Sequence, residues 1–422
     1  MALSTDLRDV TNTDTTIAGW RENAVYAILF SLPIAGPSVP HWTGVSFTVL
    51  VLLGLPELFR MRWGLAREEQ ILVGILVAYF VVFALSDLAN GWDYLKTRNV
   101  GIETRFLLAS AVLLLLRRTP HAGTWLLRGG VAGGFVVCLQ TLFDIYVRQE
   151  VRASGVLNPS VLGSYAALLA MFNLVFWHMV PNRPALRYLI GASAAAAFAA
   201  LPLTGTRGSY VGLVGMLFVW TLGRFRGQRL AAALAVSAAV LTVTYVALHE
   251  IRQQIDVTGS QSYGAVRGDG EMPISGSLYS AKLRIEMWRV SLLIFRDNPI
   301  WGVGRGNYVE AAKKYVDQGK APPDVITYPL PHSVYFEALV ARGIPGLIVV
   351  LALLLYPLSY FASGLRRSPD TALLGTLLVV GIALFSLTDT MTFLRNNFAS
   401  LFLIYLCTFF TMHQRKLSRQ GY

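Results

Sequence analysis

The feature that most limits this chain is the recurrence of apolar runs long enough to cross a bilayer, separated by short charged breaks. About twenty apolar residues carry a helix through the hydrocarbon core, and inside it the backbone must satisfy its own hydrogen bonds. Such runs lie near 22–38, 41–59, 69–88, 102–117, 124–147, 157–180, 185–203, 208–223, 229–248, 333–361, 371–388 and 396–413. Pro33, Pro37 and Pro40 interrupt the first two. Composition agrees, since 14% of the 422 residues are charged and 54% hydrophobic, where a soluble domain carries about a quarter charged. The expectation is an all-α polytopic membrane protein with about twelve transmembrane helices, built as one integral membrane domain over 1–422. The first twenty residues, through Trp20, are polar and lack an apolar core. They read as a tail and not as a cleavable signal peptide.

Basic residues set the orientation. With the N-terminus inside, the inner loops hold Arg60, Arg62 and Arg67, then Arg117, Arg118 and Arg128, then Arg183 and Arg187. They continue with Arg224, Arg226 and Arg229, with Arg366 and Arg367, and with Arg415, Lys416 and Arg419. These sixteen face seven in the short outer loops: Lys96, Arg98, Arg105, Arg148, Arg152, Arg207 and Arg395. By the positive-inside rule both termini are cytoplasmic. The hydrophilic segment 249–331 is then external and carries short helices within it. The net charge of +12 is topological and lipid-facing, so membrane lipids are expected partners and nucleic acid is not. Cys138 and Cys407 lie inside expected spans, which leaves no disulfide framework.

Several chemistries have no carrier in the sequence. There is no Walker A motif for ATP, no HExxH, and no Asp-x-Asp pair to clamp a divalent cation. No cofactor and no metal is expected. The glycines of "WGVGRGN" (301–307) follow Pro299 and face outward. Without a preceding strand they read as a flexible turn, not a dinucleotide site.

What remains is a set of external cations. Arg207 sits in "LPLTGTRGSYVGL", where Gly205 and Gly208 permit backbone amides to approach an anion and the next helix offers its positive N-terminal end. The competing reading is an arginine snorkelling from an ordinary turn. In "SLYSAKLRIEMWRVSLLIFRDNP" (277–299) a helix is expected, stopped by Asn298-Pro299. Lys282, Glu286, Arg289 and Arg296 form its polar stripe, while Arg284 projects to the opposite side beside Trp288 and Phe295. A charge placed there requires an anion or a wet cavity. Arg152 in "VRASGVLNPSVLGSYAALL" is an outer charge before a span whose entrance is marked by Asn158-Pro159; a plain rim charge is the competing reading. His332 follows Pro329 and Pro331 and lies at or just before a helix N-terminus. Helix-dipole positivity there depresses its pKa and keeps the imidazole neutral. A neutral imidazole is a candidate general base, and a capping histidine is the alternative.

These residues also carry a resemblance. "TGTRG", then "RIEMW" followed by "NPIWGVGRGNY", then "PHSVYFEALVARGIPGL" resemble the successive motifs of the bacterial O-antigen ligase and polymerase superfamily. "RASGVLNP" resembles a further motif upstream. Each motif is short, and their order supplies the specificity. The sequence departs at Ser333, where many relatives carry Asn after the histidine.

The resemblance implies a fold like the GT-C membrane glycosyltransferases. It implies transfer of a preassembled glycan from undecaprenyl diphosphate to lipid A-core on the periplasmic face of the bacterial inner membrane. A diphosphate leaving group needs fixed positive charge where negative charge develops. Arg207 and Arg284 are the choices for that task, Arg152 the third. His332 would deprotonate the acceptor hydroxyl. Related alternatives are an O-antigen polymerase and a protein O-oligosaccharyltransferase. An alternative of another class is a flippase, which predicts internal repeats and ionisable residues paired near mid-membrane; neither is visible in the sequence.

Overall fold

A computed structural model describes residues 19–59, 64–91, 100–225, 227–228, 230–231, 235, 276–390 and 396–420. The expected span at 229–248 lies almost wholly outside these residues, as do Lys96, Arg98, Arg395 and residues 249–275 of the expected external segment. The described residues are all-α, in the order α1 (Gly19–Ala35), α2 (Trp42–Phe59), α3 (Arg67–Ala89), α4 (Val100–Arg117), α5 (Ala122–Tyr146), α6 (Pro159–Met179), α7 (Pro184–Thr204) and α8 (Arg207–Arg224). After the gap come α9 (Gly276–Asp297), α10 (Tyr308–Asp317), a 3-10 turn (Pro323–Ile326), α11 (Val334–Ser363), α12 (Pro369–Thr388) and α13 (Asn396–Ser418). By length and apolar composition α2, α3, α5, α6, α7, α11 and α12 can each cross a membrane. The protein is a multi-pass membrane protein. The expected runs at α1, α4, α8 and α13 are helical as well.

Small residues set how closely the helices approach. In α5 a Cβ at Gly129 or Gly133 would lie 2.1 or 2.5 Å from the carbonyl oxygens of Phe30 and Pro33, so α1 packs directly on the α5 backbone. Behind it, the Asn173 amide of α6 donates to Gly130 O (3.2 Å) and Ser193 Oγ (2.9 Å), and Ser193 Oγ donates to Val131 O (2.6 Å). These buried bonds join α5, α6 and α7 where no water would satisfy them.

The two ends of the bundle differ. At one end Glu57 takes Arg21 and Arg118, each at 3.1 Å, Glu69 takes Arg117 at 3.4 Å, and Arg224 meets Asp370 at 3.5 Å. Arg415 there caps the end of α4, donating to Thr119 O and Arg117 O at 2.7 Å. Arginines assigned to the inner side thus gather together. At the other end the loops after α1 and α5 pair through Val156 N and Pro37 O (3.2 Å), and Ala153 N bonds Leu203 O (2.9 Å).

The segment 276–326 folds onto α11. Leu283, Met287, Val290 and Ile294 of α9 pack with Tyr308, Ala312 and Tyr315 of α10 and with Val340 of α11. The junction between them follows from two residues of α11. Gly343 leaves helical geometry (φ 61°, ψ −150°), and its Cβ-less surface sits against Pro299 O, which turns Ile344 N–H away to that carbonyl (2.9 Å). Pro345 has no N–H. The carbonyls of Val340 and Ala341 therefore lack their helical donors, and Val303 N (2.8 Å) and Gly304 N (3.0 Å) supply them. The glycine turn at 301–307 is thus pinned into the break in α11, which corrects the expectation of a flexible turn.

Candidate functional site

His332 lies two residues before α11, with Ser333 at the N-cap position. Its backbone is left-handed (φ 52°), a region where histidine is tolerated at some cost and whose occupants cluster at functional sites. Three contacts hold it there. Trp288 Nε1 donates to Pro331 O at 3.0 Å, the Tyr328 ring meets the imidazole edge-on at 5.0 Å between centroids, and Ser333 Oγ donates to Ser386 O at 3.3 Å. Burial holds the imidazole below its ordinary pKa of 6.5, and the Arg284 charge lowers it further. The expected direction stands, but its cause is burial and a neighbouring guanidinium, where helix-dipole positivity was expected.

Arg284 is half-buried on α9, next to Leu283 of the face that packs on α10 and α11. Trp288, one turn further, stacks on Phe336 at 5.3 Å. This flank of α9 therefore looks toward the start of α11, close enough for Arg284 to act on the His332 imidazole. The polar stripe expected opposite exists: Lys282, Arg289 and Arg296 are exposed, and Arg289 pairs with Glu286 at 2.8 Å. α9 ends at Asp297, just before Asn298-Pro299.

Arg207 opens α8 and is exposed. The turn before it is made by Gly205 in the left-handed region (φ 59°), with the Arg152 side chain packed against it. Gly208 serves differently: a Cβ there would lie 2.5 Å from Thr388 Oγ1, so its role is the close packing of α8 on the end of α12. That contact connects the two halves of the site. Thr388 supports Gly208, and Ser386, two residues earlier, holds Ser333. Arg152 lies against the same turn as Arg207, with Nε donating to Thr204 O at 3.0 Å. The structure thus brings Arg152 beside the Arg207 turn and Arg284 beside His332, and the end of α12 joins the two pairs. Asn158, at the entrance to α6, caps it by accepting from Val161 N at 2.8 Å.

Sequence reasoning missed a second set of charges. Glu103 Oε1 accepts from Arg305 of the glycine turn (2.8 Å) and from Arg342 of α11 (2.6 Å). Arg342 is fully buried, and its guanidinium lies 3.7 Å from the Phe83 ring centroid. Glu337, also on α11, is buried nearby. The visible signal was three charged residues inside apolar runs, which are expensive unless paired.

Residues 192–351 match the family model described as "O-Antigen ligase". Over this domain the chain is similar to the O-antigen ligase superfamily. That domain includes Arg207, Arg284 and His332 and the whole junction of α9, α10 and α11; Arg152 lies upstream of it. The chain is also 23% identical over 339 residues, 76% of this chain and 81% of the relative, to a protein of Haemophilus influenzae named "Uncharacterized protein". The O-antigen ligase superfamily groups polysaccharide-processing membrane enzymes of the ligase and polymerase type.

Proposed function

We propose that this protein is an O-antigen ligase. It moves a preassembled glycan from undecaprenyl diphosphate to a hydroxyl of lipid A-core at the periplasmic face of the inner membrane, without a metal or other cofactor. The architecture that goes with this is GT-C-like, with about twelve spans in one integral domain over 1–422, both termini cytoplasmic and 249–331 periplasmic. The observation that carries it is the docking of α9, which bears Arg284, on the loop of His332 through Trp288 Nε1 and Pro331 O at 3.0 Å, where burial and the Arg284 charge hold the imidazole below its ordinary pKa. A cation suits the leaving diphosphate, and a neutral imidazole suits the attacking hydroxyl.

The step balances as a single displacement. His332 takes the proton of the acceptor hydroxyl, and that oxygen bonds to the anomeric carbon of the glycan. The bond from this carbon to the diphosphate oxygen breaks, and its electron pair leaves with the undecaprenyl diphosphate. Arg284 and Arg207 stabilise the growing charge by paired N–H bonds to phosphate oxygens, and Arg152 supports the Arg207 turn. The test is incubation of the purified protein in detergent with lipid-linked glycan and lipid A-core. A joined product is expected. Elongation of the lipid-linked glycan instead would make the protein a polymerase, and a requirement for a sealed bilayer would make it a transporter.

A further inference from the structure

A second polar feature lies within α11, one turn beyond His332. Glu337 is 3% exposed and Arg342 is 0% exposed, and both line a small cavity with Tyr79 and Phe83 of α3. Among the described residues, both carboxylate oxygens of Glu337 and the Nε of Arg342 are buried without a hydrogen-bond partner. Arg342 Nη2 is committed to Glu103 at 2.6 Å, and the guanidinium carbon lies over the face of Phe83. Buried polar atoms of this kind are almost always satisfied, by protein or by an ordered water. The cavity offers about 10 Å³ to the centre of a water molecule, which is room for one.

We propose that this cavity binds a single water molecule, which donates to Glu337 and accepts from Arg342 Nε, and that the bridge fixes the helix turn carrying His332. A cation is the competing occupant. The Arg342 charge in the wall opposes it, and one-water space cannot hold the six or more oxygen ligands that calcium or magnesium takes. The mechanical link is short. Glu337 N bonds Ser333 O at 2.9 Å, so Glu337 belongs to the turn that begins directly after His332. Through Arg342 and Glu103 the bridge reaches α4, and through Arg305 it reaches the glycine turn. Glu337 is therefore a positioning residue, and this part of the inference rests on the proposed transfer reaction.

Radiolytic hydroxyl-radical labelling of the purified protein tests the water without any assay of activity, because bound waters generate radicals in place. Tyr79 and Phe83 are 1% and 2% exposed, so bulk solvent does not reach them. Both should be modified in the wild type and protected in Glu337→Leu, which fills the cavity; protection in the wild type overturns the water. Positioning is read from kinetics. Glu337→Leu should lower kcat about 10²-fold, the scale of a misplaced catalytic group, with KM for the lipid-linked donor unchanged. Glu337→Gln, which keeps hydrogen-bonding capacity, should restore labelling and most of the turnover. Normal kcat in Glu337→Leu, or a loss confined to KM, overturns the positioning role. If Glu337→Leu does not fold, wild-type labelling and the Gln variant decide. Labelling in a wild type that transfers no glycan would uphold the water and count against the ligase reading instead.

Discussion

The indole nitrogen of Trp288 donates to the carbonyl oxygen of Pro331 at 3.0 Å, which bolts α9 to the residue immediately before His332. The same ring stacks on Phe336, so one side chain spans both sides of the histidine. Trp288→Phe keeps the stack and loses the hydrogen bond. A neutral bond contributes about 1 kcal/mol net, so turnover should fall roughly five-fold while thermal stability in detergent changes little. Trp288→Ala removes both contacts and should cost far more activity. Equal turnover in all three proteins would mean that α9 does not set the histidine.

The proposed diphosphate site separates charge from shape. Arg207→Lys and Arg284→Lys keep a cation and lose the planar two-pronged donor. A lost charge-assisted bond is worth about 1.5–3 kcal/mol, so each variant should transfer glycan about ten- to hundred-fold more slowly. Arg284→Gln carries a second signature. The Arg284 charge lowers the His332 pKa, so its removal should move the acidic limb of residual activity to higher pH. An unmoved limb would separate the two residues. EDTA should leave wild-type turnover unchanged.

Much of the fold was legible because membrane helices announce themselves by length and apolar content. The stops at Asn298-Pro299 and the start at Asn158-Pro159 fall where proline and asparagine chemistry puts them. The break in α11 was not legible in the same way. Pro345 removes one donor, but where the orphaned carbonyls go depends on a turn some forty residues earlier in the chain. The Glu103–Arg342 pair is 239 residues apart in sequence, beyond any local pattern. For the candidate site, residue types and their order singled out Arg207, Arg284 and His332 as candidates. Which of them are neighbours required α12, whose Ser386 and Thr388 look unremarkable as sequence.

The buried ion pairs make a stability prediction. Glu103 Oε1 takes both Arg305 and Arg342. Glu103→Leu strands the Arg342 charge, which is fully buried. Breaking one side of a buried pair typically costs about 3–5 kcal/mol. The variant should melt well below the wild type in detergent. Glu103→Leu combined with Arg342→Leu removes both charges and should recover a large part of the loss. An additive double variant would mean that the two residues are not energetically coupled.

Orientation is tested by labelling single cysteines in a background lacking Cys138 and Cys407. Gln318 and Ser418 are both exposed, one after α10 and one at the end of α13. In intact cells a membrane-impermeant thiol reagent should label Gln318→Cys and spare Ser418→Cys until the membrane is opened. The reverse pattern would place the Arg284–His332 site on the cytoplasmic side and remove the periplasmic acceptor from consideration.

The histidine itself admits the sharpest test. As a base His332 works only while neutral, and burial, with the Arg284 charge added, holds its pKa below the ordinary 6.5. Turnover should therefore hold steady through neutral pH and fall as pH drops through that lowered value, since protonation blocks the base. Removing a general base costs about 10² to 10⁴-fold, so His332→Ala should insert and bind the lipid-linked donor yet transfer almost no glycan. A left-handed backbone (φ 52°) is also tolerated by asparagine, which makes His332→Asn a fair replacement in shape. Asparagine and glutamine can donate a hydrogen bond but cannot take the hydroxyl proton. Both variants should be as inactive as His332→Ala, in protein shown to be monodisperse. If either keeps a large part of wild-type turnover, His332 positions the substrate, and the proton leaves by another route.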